Sequence, residues 1–248
     1  MSKNHQLFSI PIYQTKVKSN NFLKRMVLDS ILDAAQYPHE IPPAWRTPKV
    51  KTSFVSEPKG FNIIKDNYNL LCNAYIKCLD DIIKCDYQIL DCEYQSGFDI
   101  WYNVYTDGEM QETHNHVTHS GPVQPQFSCI HFLSFEKGVH AKPIFHDPLQ
   151  AVKALSTSFD GSYSETFDDL DIEEGDFIMF PSWMMHGVDP NTEDEDRCVV
   201  AGNIIVNKID SPRLVSTSYL VNENITLWET KIVDNIQNTV GTGFTPNR

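Results

Sequence analysis

No apolar run in the 248-residue chain is long enough to span a bilayer, and no basic-then-apolar leader opens it, so the default expectation is a cytoplasmic protein. There is no block of Lys or Arg. The 20 basic residues face 33 acidic ones, a formal charge of -13, with acidic clusters at Asp168 to Asp176 and Glu193 to Asp196. A surface of that sign repels phosphate backbones, which disfavours nucleic acid as a partner. No CxxC pair occurs among Cys72, Cys78, Cys85, Cys92, Cys129 and Cys198, and these read as reduced, buried thiols and not as a disulfide framework. The Asp168 to Asp176 run lacks the order of acids around a glycine that an EF-hand requires. No internal repeat is visible. What remains, 41% hydrophobic and 21% charged residues, suits one ordinary globular domain with a sizeable core.

The chain changes texture near Ser96. Before it, residues 7 to 17 form a β-rich opening, Asn21 to Gln36 carries the apolar spacing of an amphipathic helix, and His39 to Gly60 is a proline- and lysine-rich loop. A second helix is expected from an N-cap at Asp66 to about Cys85, with Leu71, Tyr75, Cys78, Leu79 and Ile82 inward. After it, Phe98–Tyr105, Met110–Thr118, Gln126–Phe135, Asp176–Phe180, Met184–Val188, Arg197–Asn207 and Leu214–Val221 read as strands, with Asp107-Gly108 the strongest turn signal. Many short strands without intervening helices imply a sandwich or closed barrel with two helices ahead of it. Lys137 to Glu174 reads as a long loop, a candidate lid, and the tail after Gln237 is polar.

The chemistry concentrates in WYNVYTDGEMQETHNHVTHSG, Trp101 to Gly121, and in FPSWMMHGV, Phe180 to Val188. Residues two apart on a strand share a face with Cα atoms about 7 Å apart, so His114 and His116 can reach one divalent ion at about 2.1 Å per bond. His186 is the best placed third ligand. Glu112 shares the parity of both histidines and is the second choice to supply a carboxylate. His119 points elsewhere unless a bulge intervenes. Arg197, always charged and able to fork onto a carboxylate, is the natural anion clamp.

The order strand, HxH, strand, long loop, GDFIMFPSW, His, and an Arg eleven positions later resembles the 2-oxoglutarate and Fe(II)-dependent oxygenases, and a branch common in phage and bacterial genomes in particular. LFSIPIY near the start, WYN at Trp101 to Asn103, SCIHFL at Ser128 to Leu133 and RCVVAGN at Arg197 to Asn203 carry the resemblance over most of residues 7 to 207. It implies a mainly β chain, a double-stranded β-helix or jelly-roll core with N-terminal helices packed on one face. It also implies Fe(II) held by His114, His116 and His186, with 2-oxoglutarate and dioxygen as cosubstrates. Arg197 would grip the distal carboxylate, with Asn103 and Tyr105 beside it. The chain departs from the usual pattern at His116, where relatives carry an acid, and at Val199, where many carry a serine. His131 stands where relatives often have tyrosine; it or Ser128 would add a hydrogen bond.

Blander readings stand beside these. A strand histidine is ordinarily a hydrogen-bonded structural residue, and His131 and His146 fit that description, while His5, His39 and His140 read as solvent-facing. Arg197 would otherwise pair with the acidic turn Glu193 to Asp196. Trp183, Met184 and Met185 serve as core or as a water-excluding wall. The expected organisation is one oxygenase domain, with residues 1–95 a helical layer, 96–221 the jelly-roll and 222–248 a C-terminal helix and tail. The expected activity is a 2-oxoglutarate-dependent dioxygenase hydroxylating an unidentified substrate. The alternatives are a three-histidine cupin-like dioxygenase without 2-oxoglutarate and a non-enzymatic jelly-roll module.

Overall fold

The computed structural model describes residues 10–42, 45, 50–86, 93–117, 124–150, 166–192, 195–209 and 226–229. In chain order the elements are β1 (Tyr13–Lys16), α1 (Asn20–Ala34), β2 (Lys51–Thr52), α2 (Ile63–Asp86), β3 (Glu93–Tyr105), β4 (Gln111–His114), β5 (Phe127–Ser134), β6 (Pro143–His146), β7 (Thr166–Phe167), β8 (Asp176–Pro181), β9 (His186–Val188), β10 (Arg197–Ile209) and β11 (Thr226–Glu229). They form two antiparallel sheets. The larger runs β1-β8-β5-β10-β3-β11, with β2 also on β3, and the smaller runs β4-β9-β6-β7. From β3 to β10 the chain passes back and forth between the two sheets, which is the winding of a jelly-roll.

The long strands of the large sheet are buried on both faces, and this explains their nearly unbroken apolar runs. On β3, Phe98, Ile100, Tyr102 and Val104 face one core, whereas Trp101, Asn103 and Tyr105 line a cavity on the other side. Strand β10 alternates in the same way, with Cys198, Val200 and Ile204 on the first face and Arg197, Val199, Ala201 and Asn203 on the second. The first core is completed by Leu23, Val27 and Ile31 of α1 and by Leu71, Tyr75, Cys78 and Leu79 of α2. Each fully buried side chain of this kind contributes about 1.5–3 kcal/mol. The thiols of Cys78 and Cys198 lie in this core, where burial pushes each up to about 12. They are inert at neutral pH.

Several expectations require correction. Helix α2 begins at Ile63, not at Asp66, because the Glu57 carboxylate caps it from the preceding loop. It accepts the main-chain N–H groups of Ile63 at 2.5 Å and Ile64 at 2.7 Å. The stretch Lys137 to Glu174 is not one loop: β6 and β7 are strands of the small sheet, and β6 pairs with β9 through Phe145 and His186. Residues 226–229, expected within a C-terminal helix, pair with β3 as β11, in keeping with the strand-favouring Thr-Leu-Trp sequence. Leu214–Val221 and His119 lie outside the described residues, as does His5. His140 is buried, and His39 is half-buried against the Tyr102 hydroxyl at 2.9 Å.

Candidate metal centre

Strand β4 runs antiparallel to β9, with His114 opposite His186 and Gln111 opposite Val188. Two residues of β4, Glu112 and Thr113, therefore stand opposite the single Gly187 of β9, which is a β-bulge. Gly187 makes it possible: a Cβ there would meet the Gln111 carbonyl oxygen at 3.1 Å. His116 lies just beyond β4, tied by its main-chain N–H to the Ser182 carbonyl at 2.8 Å. The rings of His114 and His186 are 4.4 Å apart between centroids, and His116 is 5.2 and 5.1 Å from them. One ligand atom from each of the three lies within 4.8 Å of the other two. Imidazole nitrogens sharing one ion at about 2.1 Å stand roughly 3–3.5 Å apart. The Nε2 atoms of His114 and His116 are already at 3.2 Å.

The hydrogen bonds behind the rings decide their tautomers. Nδ1–H of His114 donates to the Glu112 carbonyl at 2.7 Å, and Nδ1–H of His186 to the Met184 carbonyl at 3.0 Å. Nδ1–H of His116 donates to Asn203 Oδ1 at 2.5 Å, with Ser128 Oγ at 3.0 Å from the same nitrogen. Each Nε2 therefore carries a lone pair, and three lone pairs aimed at one region repel unless a cation lies between them. Burial keeps the rings neutral: it holds His116 down at about 4, with His114 adding to the effect, and it lowers His114 and His186 as well. Three neutral imidazoles suit a first-row divalent ion. Glu112 contributes its main-chain carbonyl to His114 and is not among the clustered ligand groups, since the bulge breaks the parity that linked it to the histidines.

The cavity holding these rings encloses about 820 Å³ including its open mouth. At its far end Arg197 is 0% exposed, and none of its three side-chain nitrogens has a hydrogen-bond partner among the described residues. Its guanidinium lies over the Tyr105 ring at 4.6 Å and near Phe132 at 5.7 Å. Burial lowers its pKa, partly offset by Tyr105. An unpaired buried cation costs several kcal/mol, so the site is built for an anion. The expected alternative, pairing with the acidic turn, is not seen at Glu195 or Asp196. Asn103 and Tyr105 line the same cavity, and Asn103 Oδ1 is also unpartnered. Val199 lines it with no polar atom to offer.

Sequence reasoning gave no role to four cavity residues, Asn203, Gln111, Trp45 and Phe54, and left open whether His131 or Ser128 adds a hydrogen bond at the site. His131 faces the helices: Nδ1 meets the Tyr75 hydroxyl at 3.1 Å and Nε2 meets Asn20 Oδ1 at 2.8 Å, so its blander reading is the right one. Ser128 supports His116 and is not placed at the clamp. Asn203 closes the RCVVAGN stretch and Gln111 lies within the Trp101 to Gly121 stretch, but neither was given a role of its own; the register brings them to the cavity. The His39–Gly60 loop sends Trp45 and Phe54 to the mouth, their rings stacked at 5.5 Å, and Phe54 meets Trp101 edge-on at 4.8 Å. Met184 is buried, whereas Trp183 and Met185 are exposed.

Residues 99–203 match the model of the family described as "Putative 2OG-Fe(II) oxygenase". No curated protein matches the chain. Among solved structures, a prolyl-4-hydroxylase from Pseudomonas putida is similar at 11% identity and a TM-score of 0.48, covering 79% of this chain and 92% of its own. HygX from Streptomyces hygroscopicus, with nickel and 2-oxoglutarate bound, is similar at 11% identity and a TM-score of 0.47, over 79% and 82%. A prolyl hydroxylase from Trichoplax adhaerens, in complex with a hypoxia inducible factor peptide fragment, is similar at 12% identity and a TM-score of 0.48, over 78% and 83%. No helix among the described residues is long and apolar enough to cross a membrane.

Proposed function

We propose that the chain, whose residues 99–203 match a family described as putative 2OG-Fe(II) oxygenases, is a 2-oxoglutarate and Fe(II)-dependent oxygenase that hydroxylates a substrate at the His114, His116 and His186 centre. The observation carrying this reading is one cavity that holds both three half-satisfied imidazoles and an unpartnered guanidinium. The three Nε2 atoms would hold Fe(II). Arg197 forks onto the distal carboxylate of 2-oxoglutarate, with Asn103 and Tyr105 beside it. When bound, the iron supplies the activation of dioxygen that is coupled to oxidative decarboxylation.

The protein's own work is positional. Glu112, Asn203 and Met184 fix the imidazole tautomers, and Phe180 packs edge-on against His186 at 4.7 Å. Trp101 flanks His116 at 5.7 Å between centroids. With Trp45 and Phe54 it gives the mouth an apolar flank that excludes water and receives the apolar part of a substrate. A third neutral ligand in place of a carboxylate leaves the centre more positive, which tightens its hold on the anionic cosubstrate.

Anaerobic addition of Fe(II) and 2-oxoglutarate should produce a visible metal-to-ligand absorption band, and admission of oxygen should yield succinate. A silent spectrum with the iron bound would reject the assignment in favour of a three-histidine centre that does not use 2-oxoglutarate.

A further inference from the structure

The cavity holds one more polar side chain with nothing to bind. Gln111 is 4% exposed, lines the cavity, and has neither its amide oxygen nor its amide nitrogen partnered. A buried amide left without hydrogen bonds costs about 1–3 kcal/mol, so two such atoms facing a cavity mark a place where a ligand or water is received.

Strand register says which end of the cavity this is. Tyr105 is opposite Arg197 in the large sheet, and Gln111 is opposite Val188 in the small one. The segment 106–110 joins Tyr105 to Gln111, and the segment 189–196 joins Val188 to Arg197. These connections are tied together, Gly108 N–H donating to the Asn191 carbonyl at 2.7 Å and Asn191 N–H to the Glu109 carbonyl at 2.9 Å. All four residues therefore sit at the same end, away from the metal-facing level of His114 and His186. Opposite Asn103 on that end of the large sheet stands Val199, which offers no donor.

We propose that Gln111 is a second anchor of the cosubstrate's distal carboxylate, its Nε2 supplying from the small sheet the hydrogen-bond donor that Val199 withholds from the large one. This rests on the reading of Arg197 as the clamp. A carboxylate offers about four lone-pair sites, and a guanidinium fork occupies two of them. The Gln111 amide fills another. The β4 bulge is what makes the arrangement possible, because strict alternation would turn Gln111 away from the face that carries His114.

The test is calorimetric titration of 2-oxoglutarate, under anaerobic conditions, into the Fe(II)-loaded wild type and into Gln111→Leu, Gln111→Glu and Gln111→Leu/Val199→Ser. Gln111→Leu is expected to weaken 2-oxoglutarate binding roughly 10- to 100-fold, as for a lost hydrogen bond to a charged group. Iron affinity should be unchanged and the unfolding temperature equal or higher, because an unpartnered buried amide is removed. Gln111→Glu sets like charges together and should weaken binding further. The added serine hydroxyl should restore most of the loss in the double variant, which a purely structural role for Gln111 would not predict. Turnover should show the same pattern in the 2-oxoglutarate KM. A Gln111→Leu protein that binds 2-oxoglutarate within twofold of wild type overturns the assignment of Gln111 alone. A wild type that does not bind 2-oxoglutarate at all overturns the functional reading beneath it.

Discussion

Histidines pack against both faces of the large sheet, from the helix side and from the cavity side, and their ring nitrogens are used in opposite ways. On the helix-covered face His131 is 0% exposed, and both its ring nitrogens are answered by protein, Tyr75 on one side and Asn20 on the other. On the cavity face each of His114, His116 and His186 has its Nδ1 answered by a carbonyl or amide oxygen and its Nε2 left aimed at its neighbours. Burial lowers the pKa on both faces, to about 3 at His131 and about 4 at His116, so a depressed pKa does not distinguish structure from function. What differs is where the second nitrogen points: on the cavity face the three rings turn ligand atoms toward one another. Arg197, Asn103 and Gln111 extend the contrast, since their unpartnered atoms all lie on the cavity face.

The contrast is broken most severely by exchanging one histidine from each face. His186→Ala should abolish the iron-dependent absorption band and succinate formation while changing the unfolding temperature of the metal-free chain little. This loss should exceed the roughly 10- to 100-fold fall in metal affinity expected when only an outer hydrogen bond to a ligand is removed. His131→Ala should do the reverse, lowering stability by about 2–4 kcal/mol by leaving a void and two unpaired polar groups. Its iron affinity should stay within a few-fold of wild type. Denaturant titration and metal titration on the same two proteins would decide; equal behaviour of the pair would end the distinction.

Arg197→Met comes next. Replacing an unpaired buried cation with an apolar side chain should leave stability unchanged or raise it by about 1–4 kcal/mol, while 2-oxoglutarate binding falls at least about 100-fold. A large loss of stability would mean that the guanidinium is structural.

The smallest expected effect is on pH dependence. A histidine with a depressed folded pKa gives stability that is full above about 6.5 and lost as pH falls, so the metal-free chain should weaken on acidification toward about 4 through His116 and about 3 through His131. Asp99 has the opposite sign. On the cavity face of β3 by alternation, it is raised by burial to about 6, so its stabilising contribution is complete below 3.8 and lost as pH rises through 6. Asp99→Asn should therefore stabilise the chain by about 1–3 kcal/mol at pH 8, with no difference near pH 4. Thermal melts across that range would show it, and a constant offset at every pH would count against it.

Residues that announce themselves by spacing were legible beforehand: the helical periodicity of α1 and α2, the strands that alternate around Trp101 and Val199, the Asp107-Gly108 turn, and the HxH, His and Arg that meet in one cavity. Less legible were residues whose role depends on a partner far along the chain. Glu57 caps α2 from a loop, Trp45 and Phe54 cross to the cavity mouth, and Asn203 holds His116 from 87 positions away. Glu112 lost its expected place beside the histidines, and Gln111 lines the cavity instead, because parity along one strand holds only while the ladder is regular. The short strands β6 and β7 were read as loop because 4 and 2 residues show no period.

Local pattern by itself determined which segments are helix or strand and which side chains are able to bind a metal or a carboxylate, because backbone preference and side-chain chemistry are properties of the residue. Tertiary structure alone decided which of those side chains are left unsatisfied, and so which of them are free to bind. Satisfaction is a matter of who stands opposite whom: the same imidazole is held through both nitrogens at position 131 and through one at position 186 because of the atoms that the fold brings to its second nitrogen.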